Sequence, residues 1–500
     1  MKAIEEFGKR LKAEQVVVID LLDTLTYMAS ISTAYISRDT IFDLASKRDG
    51  IAATYLKKVV LLVKNFGFEY SKACRVVAED CPLPLLAGFF MMFSNSITTG
   101  EREEDFLKGE VDRILETFTN LYLGDVEVMK KWTDAYCAML VSVSMVLAIT
   151  LISTTLFTMG DPYSTLTLLA VFITFIGFFG VYVIYRSAPY DLTNHTLDIR
   201  SKWQEKVELL SRFLLPATGI SGIILWILGV APWIICLVAG ALLAPIGALA
   251  VMDNKKIEDL DLELTPFVKS LGATAGTTGV TLAYALTFLD ERSVGSLEEY
   301  VKRLRRRLTN GLKPNLCWHN FIGETGSELV HKSIKVLLDS VELGGNPTKI
   351  GVTVSKSALG LVLLRSKRKL VSAGFANLII PLHVVMCGVI IFIYQITFSF
   401  SNSVAGLMDE QSMSSSGLSG ALPAGFSMFG AGTGLDFGFI HTFVVFTIIV
   451  LTLSNAFASK YTAGGSNYLL CFYTSVLLFL SGMVLYVIPI MAESIFIMGG

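Results

Sequence analysis

The sequence predicts an all-α polytopic membrane protein with about seven transmembrane helices and two homologous cytoplasmic helical bundles. Three observations carry this reading. The 500-residue chain confines Lys and Arg to residues 1–132, 186–212 and 255–369, plus the single position Lys460. Long cation-free apolar runs separate those stretches, with 53% hydrophobic residues overall and a mean hydropathy of +0.59. The two long cationic stretches align with one another at a constant shift of 245 residues.

The first two observations are energetic. A Lys or Arg at the centre of a spanning helix costs roughly 2.5–3.5 kcal/mol on insertion scales, so cations collect outside the hydrocarbon. A span needs about 20 mostly apolar residues. Candidates lie at 136–159, 163–185, 208–229, 231–252, 372–400, 437–458 and 468–496. The first four form hairpins, 136–185 and 208–252, turned by Gly160-Asp161-Pro162 and Gly229-Val230-Ala231-Pro232. Residues 401–436 are Ser/Gly-rich, carry Asp409, Glu410 and Asp436, and lack cations. The positive-inside rule places those turns and that loop outside and the cationic stretches inside. The expected protein is a multi-pass protein of the cell membrane, its N-terminus cytoplasmic and its C-terminus extracellular, with Lys460 in a short inner link. Residues 437–500 hold the last two spans, and 186–207 are a cytoplasmic link between hairpins.

The third observation divides the rest into a first module, residues 1–132, and a second, 253–371. At the shared shift Asp20–Ser30 falls on Thr265–Ala275, Lys57-Lys58 on Lys302-Arg303, Glu79 on Glu324 and Thr99-Gly100 on Gly344-Gly345. Within the first module Ile19, Leu22, Leu25, Tyr27, Met28 and Ile31 approximate one helical face. Further helices are predicted after Arg38-Asp39-Thr40 and over 51–66, 72–81, 85–98 and 103–122. In the second module they are predicted over 266–276, 296–311, 327–343 and 346–364. Each module is long enough for a helical bundle with its own core.

Several functions are excluded or weakened. Met1–Leu11 is charged rather than apolar, so neither a cleavable signal peptide nor a transit sequence is expected. The seven cysteines show no metal-ligand spacing, and no phosphate loop, HExxH or GxSxG occurs. The glycine-rich run Gly272–Gly279 lacks the strand and lysine that a phosphate loop needs. No catalytic residue, cofactor or metal is expected. His383, His441 and Glu493 read as interfacial polar residues rather than an ion pathway.

Two helical modules, each feeding membrane spans, resemble the type II secretion F-domain family. Leu264–Leu286, LTPFVKSLGATAGTTGVTLAYAL, is similar to that family's opening helix pair, and Asp20–Leu44 is the corresponding first-copy piece. Leu451–Pro489 resembles the last two spans of the archaeal, FlaJ/TadC-like branch of archaellum and type IV pilus assembly platforms. The resemblance implies two cytoplasmic F domains, no enzymatic activity of its own, and docking of a hexameric secretion ATPase. It further implies that pilin or archaellin-like subunits are extracted from the lipid bilayer into a filament, and that the platform works as a homodimer. The alternatives are a secondary transporter or channel, whose repeat would lie in the membrane, and a non-catalytic membrane scaffold.

A platform of this kind must grip soluble machinery, and charge marks the candidates. Lys302, Arg303, Arg305, Arg306 and Arg307 crowd one short helix; their mutual repulsion favours a nearby acidic partner. Glu101, Glu103, Glu104 and Asp105 form an acidic tip, whereas the equivalent Asn346–Ile350 is not acidic. Arg365, Lys367, Arg368 and Lys369 read as juxtamembrane cations that hold orientation and attract anionic lipid. Nucleic acid is not an expected partner, because the basic helix lacks interleaved aromatics.

Overall fold

The computed structural model describes residues 13–156, 162–414 and 437–498. The turn at 157–161 and residues 415–436 of the Ser/Gly-rich stretch lie outside the described residues. All regular elements among the described residues are helical; the one β-bridge joins Asn194 and Ser327. The chain divides into a charged unit, residues 1–126, 189–205 and 252–368, and an apolar unit, residues 127–188, 206–251 and 369–500.

In the charged unit the first helices are α1 (Ala13–Ser32), α2 (Arg38–Ser46), α3 (Ile51–Phe66), α4 (Tyr70–Glu79) and α5 (Pro84–Thr99). Helix α6 (Glu103–Leu156) starts here and continues into the apolar unit's residues. Of the hydrophobic face read from the sequence, Leu22, Leu25, Tyr27, Met28 and Ile31 are enclosed and Ile19 is half-buried, but the helix is buried on its other sides as well, through Val18, Leu21, Thr24 and Thr26. Ser37 caps α2, its hydroxyl accepting from the Thr40 amide, and Gly67 ends α3 at φ 68°, where any other residue would be strained. Phe42, Phe89 and Phe106 each stack on Phe93, with ring centroids 5.0–5.7 Å apart.

The later helices of this unit are the end of α9 (Pro232–Thr278), then α10 (Leu282–Ala285), α11 (Glu298–Thr309), α12 (Pro314–Thr325), α13 (Glu328–Glu342) and the start of α14 (Pro347–Ser414). Most predicted helices recur within about two residues, while α12 has no counterpart in the prediction. The glycine-rich run proves to be a helix-crossing surface. A Cβ on Gly272 would lie 2.4 Å from the Pro347 carbonyl oxygen, and one on Gly276 2.1 Å from the Thr348 hydroxyl, so α9 and α14 approach closely only because these positions are bare.

The apolar unit contains α7 (Pro162–Ser187), α8 (Lys202–Ile227), α15 (Phe437–Ala463), α16 (Leu469–Met498) and the apolar parts of α6, α9 and α14. Among the described residues eight helices are long and apolar enough to cross a membrane. Seven overlap the predicted spans, three of them extending at least twenty residues beyond: Glu103–Thr154 over 136–159, Pro232–Thr278 over 231–252 and Pro347–Ser399 over 372–400. The eighth, Gln15–Ser32, is 72% buried inside the protein and carries Asp20 and Asp23, which is how a core helix of the charged unit looks. The predicted 372–400 span and the start of the predicted 401–436 loop form one helix that runs on to Ser414.

Small residues set the packing here, as expected where lipid removes the hydrophobic drive between helices. A Cβ on Gly247 would stand 2.5 Å from the Phe472 Cα, and Gly240 lies one heptad earlier beneath the Ser475 and Phe479 backbone. Gly180 leaves room for the Tyr136 ring, which a Cβ would meet at 2.4 Å. The interfacial reading of His383 fails: the residue is fully buried. Its Nε2 lies 2.8 Å from the Ser481 hydroxyl and its Nδ1 accepts from Asn455 at 3.1 Å, while Tyr136 donates to Asn455 Oδ1 at 2.9 Å. Helices α6, α14, α15 and α16 thus share one satisfied polar node. His441 and Glu493 are exposed.

Candidate functional site

The basic helix α11 carries its own counter-charge. Arg303 donates to Glu324 of α12 at 2.8 Å and stacks on the Tyr300 ring at 4.8 Å, and Arg307 pairs with the other oxygen of Glu324. The acidic partner inferred from charge crowding is therefore partly internal. Of the five, only Lys302 and Arg306, one turn apart, are exposed, while Arg303, Arg305 and Arg307 are half-buried.

The acidic tip is also engaged. Glu103 pairs with Arg38, Asp105 with Arg102 at 3.8 Å, and Glu104 with both Arg102 at 3.0 Å and Lys349 at 2.5 Å. Glu101 is exposed. Lys349 belongs to the very segment whose lack of acid marked it as different from this tip, so the asymmetry is complementary.

Of the four presumed juxtamembrane cations, Lys367 and Lys369 are exposed and Arg365 and Arg368 are not. Arg365 grips Asp191 with two bonds of 2.8 Å, reaches Asp261 at 2.5 Å and donates to the Leu192 carbonyl at 2.8 Å. Its side chain is 17% exposed, Asp191 14% and Asp261 3%. Ser327 donates to Asp261 while its hydroxyl accepts from the Val330 amide, capping α13. Arg368 donates to the Pro189 carbonyl at 2.9 Å. These two arginines are structural clamps, which corrects the lipid-facing reading.

They hold a strap, residues 189–201, that the sequence offered only as a link. The strap is irregular, so its backbone must find partners elsewhere. Gln15 accepts from the Tyr190 amide at 2.8 Å, the Thr193 carbonyl accepts from the Glu328 amide at 3.0 Å, and the His195 amide donates to the Gly326 carbonyl at 3.3 Å. His195 Nε2 sits 3.0 Å from the Gly323 carbonyl and Nδ1 accepts from the Leu197 amide, an arrangement that fixes the neutral ring. A Cβ at Gly323 would lie 2.6 Å from Ile199, so only glycine admits the strap here.

Burial, with Asp191 as a like-charged neighbour, pushes Asp261 up to about 6 although Arg365 and Ser327 pull it down. Its folded form binds a proton more tightly than the unfolded chain, so this group's stability contribution is full below its ordinary value of 3.8 and lost as pH rises through about 6. Asp261→Asn keeps an oxygen for Ser327 and removes the titration. Melting curves in detergent should show the wild type gaining on the order of 2 kcal/mol relative to this variant between pH 7.5 and pH 4. A pH-independent difference would contradict the assignment.

Beside the strap a groove of about 690 Å³ opens between α1, the α2–α3 turn and α13. Part of its charge is paired across the groove: Arg48 bonds Asp23 at 3.3 Å and lies 4.4 Å over the Tyr27 ring, and Lys332 reaches Asp23 at 3.6 Å. Among the described residues no group of three or more His, Cys, Asp or Glu is placed to hold a metal.

Helical bundle, clamped strap and long apolar helices define a polytopic α-helical membrane protein. No protein-family model matches the chain, and no solved structure matches it. Two archaeal proteins are similar to it. One is Flagella accessory protein J of Methanocaldococcus jannaschii, 24% identical over 364 residues, which are 69% of this chain and 63% of that protein. The chain thus spans just under two thirds of that relative's length. The other is Flagella accessory protein J of Methanococcus voltae, 22% identical over 460 residues, 89% of this chain and 79% of that protein. These similarities bear out the resemblance to the archaeal FlaJ/TadC-like branch.

Proposed function

We propose that this chain is the non-catalytic membrane platform on which an archaeal type IV pilus-like filament, an archaellum or adhesion pilus, is assembled. The observation that carries the reading is the similarity over 89% of the chain to an archaeal flagella accessory protein, in a chain whose long apolar helices are joined to a charged helical unit. A hexameric secretion ATPase docks on the charged unit, and its cycle drives insertion or rotation of pilin or archaellin-like subunits. The charged unit is cytoplasmic and consists, apart from residues 189–205, of the main parts of two F domains, residues 1–132 and 253–371. Supporting the duplication, α3, α4 and α5 superimpose in sequence on α11, α12 and α13 at the 245-residue shift, each within about two residues. The homodimer and the orientation, N-terminus inside and C-terminus outside, belong to the same proposal.

The exposed pair Lys302 and Arg306 is the sharpest ATPase-facing candidate, because Arg303 and Arg307 are occupied by Glu324. Lys302→Glu with Arg306→Glu should lower co-purification of the partner ATPase at least tenfold and leave the melting temperature unchanged. Co-purification at the wild-type level would remove α11 as the docking surface. A transporter is the rival reading; substrate-dependent flux in proteoliposomes without any ATPase would establish it.

A further inference from the structure

Residues 189–201 have features of a moving part rather than a fixed rivet. Each clamp on the strap comes from a different element: Gln15 of α1, the carbonyls of Gly323 and Gly326 at the end of α12, Glu328 of α13, and Arg365 with Arg368 of α14. Rearrangement of any of these helices relative to another must therefore pull on the strap. Its two ends continue along the chain directly into apolar helices, Ser187 closing α7 and Lys202 opening α8. An irregular segment has no hydrogen-bond ladder of its own, so it detaches without breaking secondary structure.

The ion cluster supplies the latch. Arg365 is shared by Asp191 on the strap and Asp261 on α9. When Asp191 leaves, Asp261 still neutralises the guanidinium and Ser327 still holds Asp261. The cost of stripping a buried charge of its only partner is thus avoided. Asp191, 14% exposed against 3% for Asp261, is the member closer to water. A rivet would have one carboxylate per cation; two on one guanidinium allow an exchange.

We propose that the strap is a coupling element, latched by Asp191 on Arg365, that passes rearrangement of the charged helices to the two apolar helices it joins. This rests on the platform reading and assigns the transmission step within it. The test fixes the strap reversibly. Asn194 and Ser327 are opposed in an antiparallel bridge, a geometry that brings Cα atoms within disulfide reach. Asn194→Cys with Ser327→Cys, in a background without the seven native cysteines, is bridged in cells by a membrane-permeant bis-methanethiosulfonate. Filament regrowth after shearing is then followed. Regrowth should fall at least tenfold on bridging and return on reduction, with each single-cysteine variant unaffected by the reagent. Because Ser327 caps α13, a second pair, Gln15→Cys with Tyr190→Cys, clamps the strap at its other end and should give the same result. Normal regrowth with either pair fully bridged overturns the proposal. ATPase co-purification from the unbridged protein is measured in parallel; its loss rejects the platform reading itself, whereas its retention with normal regrowth rejects only the strap.

Discussion

Replacing Arg365 with methionine is expected to cost on the order of 3–5 kcal/mol of stability at pH 7.5, the largest loss from any single charged side chain in the charged unit. The substitution fills much of the same space but leaves Asp261 enclosed with no cation and Asp191 released, and breaking a buried pair costs more than the pair is worth intact. Lys367→Met and Lys369→Met, on exposed positions of the same helix, should stay within about 0.5 kcal/mol of wild type. The loss should shrink as pH falls towards about 6 and level off below it, because without the guanidinium Asp261 takes up its proton at a higher pH than in the wild type. Thermal or denaturant unfolding of the detergent-solubilised protein measures all three. If the three variants are equally mild, Arg365 is a surface cation after all.

The second large effect is steric. Gly247→Leu should destabilise the apolar unit by about 1–3 kcal/mol or more, since the first added carbon already meets the Phe472 backbone at 2.5 Å and a helix backbone has no rotamer with which to yield. Gly219→Leu is the control. It adds the same side chain to an apolar helix at a position where nothing lies within 4 Å, and should be silent. Equal melting temperatures for the two variants would mean that α9 and α16 do not pack as described.

How far these features could be read from the sequence follows from their range. Helices with a regular apolar face and a stop signal were legible, as with α3, whose end at Phe66 is fixed by Gly67. Cation-free runs located the long apolar helices because insertion energetics act on composition alone. Short α12 was missed, since its buried Cys317, Trp318, Phe321 and Ile322 sit in a brief stretch without clear periodicity. The charged clusters were found as clusters, but their partners within the chain were not, because Glu324 and Lys349 become partners only through tertiary contact. The strap was invisible for the same reason. One trace of it did exist: Asp261 occupies the helical face of Ile257, Leu264 and Val268, and a carboxylate on an apolar face calls for a buried cation.

The contact between Glu104 and Lys349 has a consequence for how chains pair. These residues stand 245 positions apart, the offset at which the two proposed copies align. Each copy therefore brings the opposite sign to the same place. If two like halves from separate chains were to meet through this contact, glutamate would face glutamate, or lysine would face lysine. An exposed ion pair is worth at most about 1 kcal/mol, but reversing its sign replaces attraction with repulsion. On that proposal the two copies would be a plug and a socket, closing on one another within a single polypeptide, and any joining of one chain to the next would fall to other surfaces.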